Sequence, residues 1–156
     1  MKVSLGADHA GFPYKQLVHD AITALGHEVI DCGTHNTDPV DFPDITAATC
    51  IPVLDGRAER AILVCGSGAG AIMAANKIHG IRCGLANEPF SAHQAVEHDD
   101  ANAIALGAWL APRAFIGEIV ANFLYATFDD DEDTRRRVAK LNALDDRTAS
   151  LVPELT

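Results

Sequence analysis

Short, uninterrupted apolar runs alternate along this chain with longer segments whose apolar positions recur at helical spacing. Lys2 to Ala7 reads as a strand, and Tyr14, Leu17, Val18, Ala21, Ile22 and Leu25 then mark a helix that Gly26 stops. Glu28 to Asp31 is a second strand, Asp44 to Leu54 a helix that Pro52 should kink or shorten, and Ala61 to Cys65 a third strand. That strand runs into Gly66-Ser67-Gly68-Ala69-Gly70, and the helix after it extends through Asn76. Ile81 to Ala86 and Ala103 to Leu106 supply two more strands around a helix from Ser91 to Glu97, and Ile116, Ile119, Val120, Phe123 and Leu124 mark another helix. Strands that are apolar throughout belong in a parallel sheet covered on both faces, so the alternation predicts a doubly wound α/β fold of about five strands.

After Phe128 the sequence turns to Asp129-Asp130-Asp131-Glu132-Asp133, then Thr134 and the basic trio Arg135, Arg136 and Arg137. Carboxylates ahead of cations suit the start of a final helix, with Val138, Leu141 and Leu144 as its apolar stripe. A chain of 156 residues, 48% hydrophobic, is enough for one core. Residues 1–147 are expected to form a single domain and 148–156 a mobile tail.

A net charge of -10 argues against nucleic acid or an anionic membrane surface as partner and favours a small molecule. No apolar run approaches the roughly 20 residues of a membrane span, and Met1-Lys2 leads straight into a strand rather than a signal pattern, so a cytoplasmic location is expected. Cys32, Cys50, Cys65 and Cys83 are scattered with no CxxC pair, which suits reduced thiols better than disulfides or zinc, and no His/Asp/Glu set has metal-ligand spacing.

In open α/β sheets ligands bind beyond the carboxyl ends of the strands, which directs attention to Asp8-His9-Ala10-Gly11, Cys65 to Gly70, and His98-Asp99-Asp100-Ala101-Asn102 ahead of the fifth strand. The glycine run is either a tight turn or a cradle whose backbone amides close on an anion. A dinucleotide site is the competing reading, but an acidic residue is wanted at the end of the next strand, where this chain has Ala86 and Asn87. Cys65, between strand and cradle, is either a packed core residue or a thiol lowered below the usual ~8.5 to serve as base or nucleophile. Cys32, Cys50 and Cys83 have no such setting. His98, between Glu97 and Asp99, is either a solvated surface residue or a proton carrier near neutral pH, and His9 beside Asp8 has the same two readings. His19, His27, His35, His79 and His93 read as surface or satisfied polar residues.

Gly6-Ala7-Asp8-His9-Ala10-Gly11, Cys65-Gly66-Ser67-Gly68-Ala69-Gly70, Ala74-Ala75-Asn76-Lys77 and His98 through Asn102 together resemble ribose-5-phosphate isomerase type B and its galactose-6-phosphate isomerase relatives. The resemblance implies a Rossmann-like three-layer α/β/α subunit, paired as a homodimer or dimer of dimers with shared active sites, and no metal or organic cofactor. It implies that Cys65 carries the proton between C1 and C2 through a cis-enediolate, with Ser67 near the proton path. The amides of Gly66, Gly68, Ala69 and Gly70 would hold the enediolate oxygens, His98 would open the ring, Asp8 would bind sugar oxygens, and His9 would lie near the phosphate.

Departures bear on the substrate. Asp99 stands where many members have asparagine, and a carboxylate donates no hydrogen bond to an oxyanion unless protonated. The usual Gly-x-Arg after the fifth strand reads Gly107-Ala108-Trp109, and the first of two spaced arginines near the C-terminus reads Asp133, leaving Arg137 in place. Trp109 suits stacking on a sugar face, and Arg113, Arg135 or Arg136 could replace the missing guanidinium groups, although the trio also reads as a solvated helix face. The leading expectation is an isomerase of ribose 5-phosphate and ribulose 5-phosphate. The alternatives are an isomerase of another sugar, including one without phosphate, and a non-catalytic sugar-binding module.

Overall fold

The computed structural model describes residues 1–145, so the expected tail at 148–156 and the end of the expected domain lie outside the described residues. Five strands form one parallel sheet: β1 (Lys2–Ala7), β2 (Glu28–Asp31), β3 (Arg60–Cys65), β4 (Cys83–Leu85) and β5 (Ala103–Gly107), in the order β2-β1-β3-β5-β4. The connecting helices are α1 (Phe12–Ala24), α2 (Phe42–Leu54), α3 (Ala69–Ala75) and α4 (Pro89–Glu97), and α5 (Ile116–Tyr125) and α6 (Glu132–Asn142) come after β5. The fold is the expected doubly wound, three-layer α/β/α arrangement.

Successive strand residues face opposite sides, and this pleat divides the interior into two cores. Val3, Leu5, Ile62, Val64, Ile104 and Leu106 pack with Val18 and Ile22 of α1, Val96 of α4 and the α5 residues Ile116, Ile119, Val120 and Phe123. Ala61, Leu63, Cys65, Ala103 and Ala105 face the other way, against Cys50 of α2 and Ala71 and Ala75 of α3. The second face is lined mostly by small side chains and points Cys65 toward α2 and α3.

The helix boundaries differ from the sequence expectation where prolines sit. α2 begins at Phe42 rather than Asp44 and α4 at Pro89 rather than Ser91, since Pro43 and Pro89 occupy the first turn, where a missing N–H forfeits nothing. α2 ends at Leu54 as expected and is not shortened by Pro52, whose missing N–H forfeits a single hydrogen bond near the end of the helix. β4, expected from Ile81 to Ala86, is reduced to Cys83–Leu85 at the sheet edge, though the Ala86 N–H still donates to the Ala105 carbonyl at 2.9 Å.

α6 starts as its acidic lead-in suggests: the Asp131 carboxylate accepts from the Thr134 N–H at 2.8 Å. Its expected stripe is only partly covered, with Val138 buried while Leu141 and Leu144 are exposed. The helix is tied across the N-terminal edge of β4, where Arg82 donates to the Asn142 side chain at 3.3 Å and the Gly80 N–H to Asp145 at 2.9 Å. Among the described residues no helix is long and apolar enough to cross a membrane.

Phe123 is fully buried at the centre of the α1–α5 face. We expect Phe123→Ala to cost about 3–5 kcal/mol of folding free energy in urea unfolding followed by circular dichroism. A loss under ~1 kcal/mol would contradict this account of the core.

Candidate active site

In a parallel sheet the residues after each strand gather at one edge and the residues before each strand at the other. Asp8 and His9 come after β1, Cys65 to Gly70 lie at and beyond the end of β3, and Trp109 and Arg113 come after β5, so all of these meet at the carboxyl edge. Close backbone packing brings them together. The Asp8 N–H donates to the Val64 carbonyl at 3.1 Å, the Ala108 N–H to the Cys65 carbonyl at 2.8 Å, and the Trp109 N–H to the Gly66 carbonyl at 2.9 Å.

Cys65 closes β3 with 5% of its surface exposed, and its Sγ accepts the Gly68 N–H at 3.0 Å. Gly68 adopts a left-handed conformation, φ 85°, which turns its amide back onto the sulfur and opens α3. A donor aimed at sulfur is a contact that a thiolate accepts more strongly than a thiol. The other cysteines lie in the opposite situation. Cys32 and Cys83 donate S–H to the carbonyls of Ile30 and Gly84. Burial pushes the Cys50 thiol up to about 12, and burial likewise raises Cys83 and Cys32.

Apolar side chains wall the loop. A Cβ on Gly66 would lie 2.7 Å from the Trp109 ring, one on Gly68 2.4 Å from Leu85, and one on Gly70 3.1 Å from the Phe42 ring. Trp109 is 75% exposed, so its indole covers the loop on one face and is open on the other. Ser67 Oγ accepts from the Ala69 N–H at 3.3 Å. On the facing side, Asp8 is buried and accepts from the Gly11 N–H at 2.8 Å. His9 Nδ1 accepts from the Val40 N–H at 3.3 Å. The Arg113 guanidinium lies over the Tyr14 ring, 4.8 Å from its centroid, at the start of α1.

His98, Asp99 and Arg137 are elsewhere. Ala61 pairs with Ala103 and Cys65 with Gly107, so the segment entering β5 is separated from Cys65 by the length of a strand, about 13 Å. His98 caps the end of α4 at that amino edge, its Nε2 3.7 Å from Glu97, and Asp99 borders a cavity of about 410 Å³ beside α6. Arg137 pairs with Asp133 at 3.6 Å, Arg136 with Asp133 at 2.6 Å and Arg135 with Asp130 at 3.4 Å. One chain therefore assembles Cys65, Ser67, the loop amides, Asp8, His9, Trp109 and Arg113, and holds His98, Asp99 and Arg137 at the opposite edge. Among the described residues, no group of three or more His, Cys, Asp or Glu side chains is placed to hold a metal ion.

Three contributors are not evident from the sequence. Phe42 and Leu85 look like ordinary core residues, and nothing local shows that they meet glycines of a distant loop. Asn87 accepts from the Gly107 N–H at 2.7 Å and fixes the turn that carries Trp109; its place just past a strand end is the one signal of that role.

The chain matches the profile of the Ribose/Galactose Isomerase family over residues 3–141. It is 33% identical to ribose-5-phosphate isomerase B of Escherichia coli (strain K12) over 94% of this chain and 97% of that protein. It is 31% identical to 4-deoxy-4-sulfo-D-erythrose isomerase of Clostridium sp. (strain MSTE9), over 90% of this chain and 89% of that protein. The solved structure of Clostridium thermocellum ribose-5-phosphate isomerase B superposes with a TM-score of 0.90 at 36% identity, covering 94% of this chain and 98% of that one.

Gly107 has no room for a side chain, since a Cβ there would lie 2.6 Å from the backbone carbonyl oxygen of Ser67, whereas Gly117 on α5 faces open space. We expect Gly107→Ala to lower the thermal midpoint by several degrees and Gly117→Ala to hold or raise it. Equal midpoints for the two variants in differential scanning calorimetry would refute the close packing of loop and strand end.

Proposed function

This chain belongs to the ribose/galactose isomerase family of sugar-phosphate isomerases, and from that membership we propose that it interconverts ribose 5-phosphate and ribulose 5-phosphate by proton transfer at Cys65. The observation that carries the reading is the Gly68 N–H on Cys65 Sγ at 3.0 Å, which sets a sulfur able to hold negative charge at the entrance to a loop of amides. The thiolate takes the proton from C2 of the open-chain aldose. The electron pair moves into a cis-enediolate, the C2 hydroxyl proton passes to O1, and the thiol returns its own proton to C1 as the ketone forms at C2. Loop amides other than those held by Cys65 and Ser67 stabilise the developing oxygen charge, with Ser67 Oγ beside the proton path. Asp8 binds sugar hydroxyls, His9 meets the anionic end, and Trp109 and Arg113 border the sugar.

His98, Asp99 and Arg137 join this site from a second copy of the chain. Their position at the amino edge supports that assignment, because no adjustment within one sheet carries them to Cys65. The functional unit on this reading is a homodimer, alone or as a dimer of dimers, in the cytoplasm, with His98 of one copy opening the furanose ring over Cys65 of the other.

A second reading is favoured by Trp109 and by the pairing of all three α6 arginines with carboxylates: the substrate is a different short sugar, phosphorylated or not. The relative that isomerises a sulfonated tetrose supports variation at this end of the substrate. Steady-state kinetics on ribose 5-phosphate beside free aldoses and a sulfonated tetrose separates the two. Turnover confined to the free or sulfonated sugars would overturn the first.

Cys65→Ala should lower kcat by at least about 10²-fold and abolish exchange of the substrate C2 proton with solvent deuterium, read by NMR. Exchange persisting in that variant would remove Cys65 as the base. Co-expressing Cys65→Ala with His98→Asn should restore up to about a quarter of wild-type activity, because random pairing gives mixed dimers with one intact site. No recovery in mixed dimers would place both residues in one subunit's site.

A further inference from the structure

Lys15 lies on α1 with 7% of its surface exposed, an environment in which an ammonium group must be paired. It donates to the Asp31 carboxylate at the end of β2 and, at 2.9 Å, to the Thr34 carbonyl oxygen. Asp31 also accepts the Gly33 N–H at 2.9 Å. Burial pushes the Asp31 carboxyl upward, but the hydrogen bonds from Lys15 and Gly33 outweigh it and hold the group below its ordinary value. Residues 33 and 34 are thereby fixed against the last residue of β1: the Ala7 N–H donates to Gly33 at 2.8 Å and the Thr34 N–H to Ala7 at 2.6 Å.

The same segment reaches back to the site at its far end. Before α2 begins, the Val40 N–H donates to Nδ1 of His9 at 3.3 Å. A ring nitrogen that accepts a hydrogen bond carries no proton, so neutral His9 bears its hydrogen on Nε2. With the other tautomer, Nε2 would turn a lone pair toward any anion at that end of the site. The segment from Gly33 to Val40 thus has two anchors, the ion pair of buried Lys15 with half-exposed Asp31 at its start and His9 at its end.

We propose that Lys15 is a positioning residue for His9: its contacts with Asp31 and Thr34 seat the Gly33–Val40 segment, whose Val40 N–H then fixes His9 with Nε2–H directed at the substrate's anionic terminus. The direction of that N–H toward substrate rests on the function proposed above, whereas the tautomer is a property of the free protein. The polar contacts of Lys15 are with Asp31 and Thr34 rather than with the loop of Cys65, and its effect falls on binding of the anionic end rather than on proton transfer at C2.

The test reads the tautomer directly. Long-range proton–nitrogen NMR of the full-length protein with labelled histidine, without substrate and at a pH where His9 is neutral, should show protonated Nε2 and bare Nδ1, the signal being assigned by its loss in His9→Gln. Lys15→Met should give a mixture of tautomers and raise KM for the phosphorylated substrate about tenfold while kcat changes less than about threefold. Lys15→Arg should restore the single tautomer. If Lys15→Met does not fold, Asp31→Asn, at a half-exposed position, should produce the same shift more weakly. A folded Lys15→Met or Asp31→Asn that keeps the wild-type tautomer overturns the proposal. A changed tautomer with unchanged KM leaves the positioning role standing and overturns instead the placement of His9 at the anionic end.

Discussion

The pairing of β3 with β5 is the constraint on which the rest of the structure depends. Its register puts Cys65 opposite Gly107, and the two strands then end together. Because both end at the same level, the loop after β3 and the turn after β5 must share the space beyond the sheet. They do so by direct backbone contact, with Ala108 and Trp109 donating to the carbonyls of Cys65 and Gly66. Gly107 is needed for that contact, since its Cα faces the Ser67 carbonyl with no room for a side chain. A shift of one residue in register would turn Cys65 to the opposite face of the sheet, toward the larger side chains of the α1 and α5 face. The glycine loop would then have neither its sulfur nor its indole cover.

The fold was legible because its signal is repeated. Each of five apolar runs and each intervening helical stripe reports the same architecture, so an uncertain boundary at Pro43, Pro52 or Pro89 does not disturb the count. The sulfur end of the site was legible for a related reason: Cys65 and its glycines are contiguous, and contiguous residues remain neighbours in the fold. Contacts between distant segments were not. Phe42 on Gly70, Leu85 on Gly68 and Lys15 on Asp31 join residues on different elements, and each residue alone carries the composition of an ordinary core or surface position. The stripe on α6 illustrates the converse limit, for helical periodicity identified Val138, Leu141 and Leu144 as one face but could not say that only Val138 would be covered within the chain.

The grouping of His98 with Cys65 met a different obstacle. Both lie near strand ends in the sequence, yet Cys65 ends a strand and His98 precedes one, and in a parallel sheet these are opposite edges. Strand direction, rather than proximity to a strand, decides which end of the domain a residue serves. A site that uses both groups is therefore intermolecular on the proposed reading, and it joins two regions of different character. The carboxyl edge offers loop amides, a thiol and apolar walls beside Asp8, His9 and Arg113. The amino edge offers an imidazole beside Glu97 and arginines already paired with aspartates.

What separates Cys65 from Cys83 is the direction of its hydrogen bond rather than its burial. Cys50 and Cys83 are as deeply buried, and burial alone stabilises the protonated form, as their raised thiols show. Cys65 shares the small-residue face with both, but the left-handed turn at Gly68 directs an N–H at its sulfur where Cys83 meets a carbonyl. On the proposed reading, the chemistry at Cys65 thus depends on a backbone conformation three residues away. Trp109, Leu85 and Phe42 stand against Gly66, Gly68 and Gly70, so apolar side chains border the loop that carries the amides.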